Sequence, residues 1–298
     1  MALVFLHEGL GCVDMWRDVP ETLADLTGLP ALAYSRAGYG RSEGITLPRA
    51  VDYHAPEAYD VLPAVLDAAG IGAAVLIGHS DGGTIALMAA GRDARIRGVV
   101  TMAAHVFNED VTIRGIQDAR ASWQETDLRG RLRRYHGDNV DGAFFGWNDT
   151  WLTDGFRAWN VADCLPAVTC PVLVVQGADD QYGTEAQVSA IADGVSGPAK
   201  RLVITGCGDR PGSLHGQTER PKIKVTPLAG GHPAFGSRAC SNICRVVSVR
   251  RAKGEMPALA ISWRVRQLKA CQMILAATAQ TTGAVKTANS LFRPIRIR

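Results

Sequence analysis

The sequence predicts an α/β protein: a doubly wound, mostly parallel sheet with a helical segment inserted into it. Three observations carry this. Short apolar runs bounded by Gly, Pro, Asp or His recur along the first two-thirds of the chain. Helical patterns separate them. One of the runs passes through a Gly-rich turn directly into a helix. Strands buried on both faces read as continuous apolar runs. Their alternation with helices gives a parallel sheet whose functional groups gather at the carboxyl ends of the strands.

The predicted strands are ALVFL (2–6), ALAYS (31–35), AAVLIG (73–78), RGVVTMA (97–103) and PVLVVQG (171–177). In 57–70, Ala58, Val61, Leu62, Val65, Leu66 and Ala69 fall on one helix face, Gly70 closes the helix, and Pro63 kinks it. A further β-branched run, RLVI (201–204), ends at Gly206-Cys207-Gly208, a turn that presents Asp209 at a strand end.

Composition bounds the function classes. With 298 residues, 47% of them hydrophobic, the chain can bury one large core or two modest ones. The stretch 270–285 is interrupted by Gln and Thr and falls short of a membrane span. The start lacks the basic segment and long apolar run of a secretion signal. Seven irregularly spaced cysteines then read as free thiols in a reducing compartment, so a cytoplasmic location is expected. The net charge of +3 hides an asymmetry: residues 1–205 hold 16 basic and 26 acidic residues, residues 206–298 hold 16 and 3. Such a step marks a basic tail or two stretches of different origin.

The strongest chemical signal is VLIGHSDGG, followed by TIALMAA. Gly78-His79-Ser80-Asp81-Gly82 is G-x-S-x-G between a strand and a helix, the context of a nucleophile elbow. The turn must hold Ser80 in a strained conformation, and the flanking glycines admit backbone where a Cβ would clash. The amides of the following helix point at any developing anion.

At these residues the chain resembles the α/β-hydrolase superfamily, of the small capped esterase kind. FLHEGLG (5–11), YSRAGYGRS (34–42), GHSDGG (78–83) and QGADDQYGT (176–184) match in order and spacing, and the resemblance covers about residues 1–208. It implies a hydrolase core over 1–103 and 164–208, a helical cap over 104–163, and a Ser–Asp–His triad in that chain order. Ser80 is the implied nucleophile. The amides of Gly9 and Asp81 are the implied oxyanion hole, although Glu8 replaces the usual first glycine of that loop. His7 and His79 are read as structural. Asp180 is chosen as the acid by its spacing from Gly177, with Asp179 as the alternative.

The cap carries Trp123, Trp147, Trp151 and Trp159 with Phe107, Phe144, Phe145 and Phe156. These read as packing between cap and sheet, some of them lining an acyl pocket for an apolar ester-like substrate. RGRLRRYH (129–136) reads as a solvated basic face.

The chain departs from the family pattern at two places. Two strands that the family places before the first strand are missing, and Asp209 stands where the base histidine belongs. An aspartate with a pKa near 4 is a poor acceptor of a serine proton. Downstream, His215 lies in a polar loop, whereas His232 follows an alternating run and a Gly-Gly turn, so 222–228 is read as a strand that delivers His232 as the base. The opposing reading takes residues 209–298 as foreign to the fold, a poorly packed basic segment with neither histidine at Ser80. No cofactor, metal, nucleic acid or membrane partner is expected; Cys240, Cys244 and His232 match no common zinc spacing. The expected function is a cofactor-free serine hydrolase, impaired by the displaced base, with an inactive small-ligand binder or a truncated hydrolase gene product as the alternative.

Overall fold

The structure is a computed structural model that describes residues 1–205, Gly208 and the backbone of the strand at 223–226. Seven strands form one sheet in the order β2-β1-β3-β4-β5-β6-β7. They are β1 (Ala2–Leu6), β2 (Ala31–Ala33), β3 (Ala74–His79), β4 (Ile96–Met102), β5 (Val172–Gly177), β6 (Ala199–Ile204) and β7 (Ile223–Thr226). Strands β1 to β6 run parallel. This is the doubly wound, mostly parallel sheet expected from the alternation, in the α/β-hydrolase form that the resemblance implies. The 31–35 run pairs over only three residues, as suits the strand at the sheet edge.

Strand β7 lies within the predicted 222–228 but pairs antiparallel, with Ile204 opposite Ile223 and Arg201 opposite Thr226. It therefore enters beside the carboxyl end of β6 and leaves beside its amino end. The strand exit thus faces away from the edge where the parallel strands present their side chains.

The helix expected over 57–70 is composite: α2 (His54–Pro56), a π-helical turn (Glu57–Val61) and α3 (Leu62–Ala68). Pro63 follows the widened turn directly, at the point where the helical run changes pitch, because it supplies no N–H to the preceding turn. Gly70 closes the segment at φ +64°. Helices α1 (Val19–Thr27) and α4 (Asp81–Ala90) complete the first half. Helix α4 is buried along nine of its ten residues, because it packs on β1, β3 and β4 at once. Leu6, Leu62, Leu76, Ile85, Val99 and Val174 form the centre of that core.

Between β4 and β5 the chain makes a helical insert: α5 (Asp110–Glu125), α6 (Leu128–His136), α7 (Val140–Trp151), α8 (Asp154–Arg157) and a 3-10 segment (Ala162–Ala167). After β5 comes α9 (Glu185–Gly194). The insert has its own aromatic core, in which Trp123 stacks on Phe144 at 4.0 Å and Phe156 on Trp159 at 5.0 Å. Arg129, Arg131, Arg133 and Arg134 are exposed, with Arg129 and Arg133 paired to Asp141 and Asp138. The basic face of α6 is thus solvated.

Cys12, Cys164 and Cys170 are free thiols, and burial pushes Cys12 and Cys164 up to about 11. Among the described residues no helix is long and apolar enough to cross a membrane.

Candidate active site

Strand β3 ends at His79, α4 begins at Asp81, and Ser80 between them has φ +49°, ψ −117°. This is a conformation that a side chain with a Cβ adopts only under constraint. The constraint is visible on both sides. The Ser80 amide donates to the Met102 carbonyl at 2.8 Å, and its carbonyl accepts from the amides of Gly83 and Thr84 at 2.8 and 3.1 Å. A Cβ on Gly78 would stand 2.2 Å from the Gly82 carbonyl oxygen, and one on Gly82 would stand 2.0 Å from that of Leu6. On the adjacent strand Ala103 also takes a positive φ of +50°.

The loop after β1 brings Gly9 to the same place. His7 is fully buried: its Nδ1–H donates to the Glu8 carbonyl at 2.7 Å, and its Nε2 accepts the Arg36 amide at 3.1 Å. Those partners assign one tautomer of a neutral ring. Burial, and then the Arg36 charge, push its pKa down to about 3. The Glu8 carbonyl also accepts from Arg36 Nη2 at 3.2 Å. The Glu8 carboxylate lies 3.4 Å from His79 Nδ1. Burial raises its pKa, but the hydrogen bond and charge of His79 outweigh this and hold it at about 2. Gly9 is buried against the indole of Trp147, where a Cβ would meet Cδ1 at 2.3 Å.

Asp81, whose amide opens α4, turns its carboxylate into the interior. Its Oδ2 accepts from the Tyr53 hydroxyl at 2.6 Å and lies 3.6 Å from Arg36 Nη2, and its Oδ1 lies 3.4 Å from His54 Nε2. Burial opposes the charge, yet His54, Arg36 and Tyr53 together hold the carboxyl well below its usual range. Tyr53 accepts in turn from Trp151 Nε1 at 2.9 Å.

At the end of β5 the two acids separate. Asp180 is buried, its Oδ1 accepting the Tyr182 amide at 2.8 Å and its Oδ2 the Gln176 side chain at 2.7 Å, whereas Asp179 is exposed. A carboxylate held on two donors is the one with a defined orientation. Gly208 lies against this loop, where a Cβ would meet the Asp179 carbonyl oxygen at 3.1 Å. Asp209, His215 and His232 fall outside the described residues.

Ser80, Glu8, Gly9 and Trp147 line one small pocket of about 40 Å³. His105, Thr112, Ile116 and Tyr182 line it too, and were not singled out from the sequence. His105 follows the β4 run within three residues, so its strand-end position was readable. Its ring Nε2 lies 3.0 Å from the Tyr182 carbonyl, which also accepts from Thr112 Oγ1. Among the described residues no three His, Cys, Asp or Glu side chains gather as a metal site requires.

Residues 2–116 match the family described as alpha/beta hydrolase fold. Solved structures agree. An enzyme described as Est816, an N-acyl homoserine lactone degrading enzyme, is 26% identical, with TM-score 0.51, over 71% of this chain and 89% of that one. A carboxylesterase study of the thaumarchaeon Nitrososphaera gargenis gives 19% identity and TM-score 0.55, over 70% and 82%. The proline iminopeptidase of Mycobacterium smegmatis gives 22% and 0.52, over 70% and 83%. No curated protein matches. The fold is that of the α/β hydrolases, and residues 2–116 carry the match to that family.

Two predictions follow from this geometry. Gly82→Ala places a methyl group against rigid backbone, and overpacking of that kind costs about 1–3 kcal/mol; thermal unfolding should show a melting temperature lower by about 2–10 °C. A melting temperature equal to the parent's would mean that the helix can back away from β1.

The second concerns pH. His7 has a folded pKa near 3 against the ordinary 6.5, so between those values the unfolded chain binds a proton that the folded chain does not. Stability is complete above 6.5 and falls as pH drops, by about 1.5 kcal/mol between pH 6.5 and 5 for His7 alone. His136, whose pKa burial also lowers, adds loss of the same sign. Urea titrations at the two pH values should show this loss shrinking in His7→Gln.

Proposed function

We propose that the protein is a cofactor-free serine hydrolase acting on esters or lactones with an apolar acyl group. The observation that carries this reading is Ser80 itself, held at φ +49° between β3 and α4 and opening onto a pocket that also contains Gly9. In this reading Ser80 attacks the carbonyl carbon. The Gly9 and Asp81 amides hold the oxyanion, Asp180 orients the base, and the helical insert serves as the cap. Leu10, Ile116, Trp147 and Trp151 give the pocket an apolar acyl wall. The likeness to the lactone-degrading enzyme adds lactones to the substrate class. An orienting carboxylate need only hold and stabilise an imidazolium, which the doubly bonded Asp180 suits.

The base is assigned to a histidine beyond β6. His232 was chosen for its strand–turn–His context. His215, which lies between β6 and β7 in the sequence, is the alternative. Asp209 after Gly208 supports a second reading, in which the pocket binds a small apolar ligand and turnover is residual. Elbow and oxyanion amides alone sustain roughly a thousandfold acceleration over water.

Hydrolysis of short p-nitrophenyl esters separates these. We expect weak turnover and fluorophosphonate labelling, both abolished by Ser80→Ala and both unchanged by His232→Ala. A loss of several orders of magnitude in His232→Ala or His215→Ala, with the fold intact, identifies that residue as the base. Labelling that survives Ser80→Ala removes the nucleophile assignment. Ligand-induced thermal stabilisation without turnover establishes the binder.

Trp147→Ala and Trp151→Ala should shift the preferred acyl chain length. Loss of folded protein with unchanged preference would restrict both indoles to packing.

A further inference from the structure

Each of the two amides assigned to the oxyanion is tied to the helical insert. On the Gly9 side, His136 at the end of α6 donates Nε2–H to the carbonyl of Leu10 at 3.0 Å, and its Nδ1 accepts the amide of Gly40 at 2.9 Å. The indole of Trp147 from α7 lies directly on Gly9. On the Asp81 side, Trp151 of α7 donates Nε1–H to the Tyr53 oxygen at 2.9 Å, and Tyr53 donates its hydroxyl to Asp81 Oδ2 at 2.6 Å. Every side chain in these two chains is buried. None of these bonds is local: they join residues 126, 96, 98 and 28 positions apart.

We infer that the insert sets the oxyanion hole, with His136 and Tyr53 as positioning residues that couple its seating to the Gly9 and Asp81 amides. The inference rests on the hydrolase reading for the role of those amides, but not for the coupling itself. A peptide amide is a useful anion donor only if its direction is fixed before the charge develops. The Gly9 amide shares its peptide plane with the Glu8 carbonyl, which His7 and Arg36 hold from the sheet side. The insert holds the same loop two peptides further on, at the Leu10 carbonyl, and packs Trp147 against Gly9 itself. The Asp81 amide is fixed by the helix and, through its own side chain, by a hydroxyl whose second hydrogen bond comes from the pocket wall. A ligand that moves Trp147 or Trp151 thus moves both donors.

The His136 link has a defined protonation state. With Nδ1 accepting a backbone N–H and Nε2–H donating to a carbonyl, the ring is neutral; protonation turns the Gly40 contact into two facing hydrogens. Burial lowers its pKa, and the groups that face it are the Glu8 carboxylate, which opposes this, and the ring edge of Tyr39 at 6.1 Å. The basic residues of its own last turn are Arg133 and Arg134.

The test uses the full chain and three variants. Tyr53→Phe removes the hydroxyl, Trp151→Phe removes only the indole donor, and His136→Asn keeps a group at the Nδ1 position while deleting the donor to Leu10. Arg129→Gln, which breaks a solvated ion pair of the same insert, is the control. Amide hydrogen exchange is followed in segments 5–12 and 79–84, with α9 as internal reference. The expected result is exchange faster by about tenfold or more in 79–84 for Tyr53→Phe and Trp151→Phe, and in 5–12 for His136→Asn, with α9 and the control unchanged. Where esters are turned over, kcat should fall about ten- to a hundredfold with KM nearly constant, the signature of donors lost only in the transition state.

Unchanged exchange in both segments, or equal acceleration throughout a folded protein, overturns the inference. Should Tyr53→Phe fail to fold, Trp151→Phe carries the same arm. Ester turnover that is indifferent to Ser80→Ala defeats the hydrolase reading and leaves the exchange result to decide the coupling.

Discussion

The close approach of α4 to β1 is the constraint from which the site follows. Gly82 lies where a methyl group would strike the Leu6 carbonyl, and Gly78 where one would strike Gly82. With the helix that near the sheet, the chain has one residue in which to turn from strand to helix. Ser80 absorbs the whole turn at positive φ. The same proximity places Asp81 in the first turn of α4 with its carboxylate buried. What begins as two missing side chains thus fixes the strained Ser80 turn and a buried carboxylate.

That carboxylate must be answered electrostatically. Moving a carboxylate and a guanidinium out of water costs several kcal/mol per ion after relaxation. Arg36 and Asp81 are both essentially unexposed. Their mutual distance of 3.6 Å is looser than an ideal ion pair, so the short Tyr53 bond and the His54 contact contribute to the offset. Arg36 also donates to the Glu8 carbonyl. A single guanidinium thereby joins the loops on both sides of the pocket floor. Losing one member of such a set is more damaging than exchanging the set for apolar residues, because the survivor is left charged and dry. The arrangement serves position more than stability.

How much of this was legible follows from distance along the chain. The strand–turn–helix at Ser80 and the five apolar strands depend on residues within a few positions of one another, and local pattern carries them. Pro63 and Gly70 were readable for the same reason. The Arg36–Asp81 pair joins YSRAGYGRS to GHSDGG, two stretches recognised separately, but nothing in either says that their charges meet. Tyr53 and His136 were invisible: a tyrosine before a helix and a histidine ending one acquire meaning only from partners about a hundred residues away. The direction of β7 was likewise beyond reach, since an alternating apolar run reads the same in both senses. The basic face of α6, by contrast, needed no partner to be read as solvated.

The described site divides into halves with different origins. In the proposed reading the donor half, Ser80 with the Gly9 and Asp81 amides, is built from β1, β3, α4 and the insert. The proton-transfer half rests on the β5 loop and whatever follows β6, and there the chain turns back antiparallel instead of continuing a parallel strand. In that reading a change after Gly208 acts on proton transfer, while Ser80 and the two amides stand on β1, β3, α4 and the insert. An oriented amide acts on developing charge whether or not a base is present. The two halves are therefore separable in energy as well as in sequence. The sharp step in charge after residue 205 falls just beyond β6, on the side of the proposed proton-transfer half.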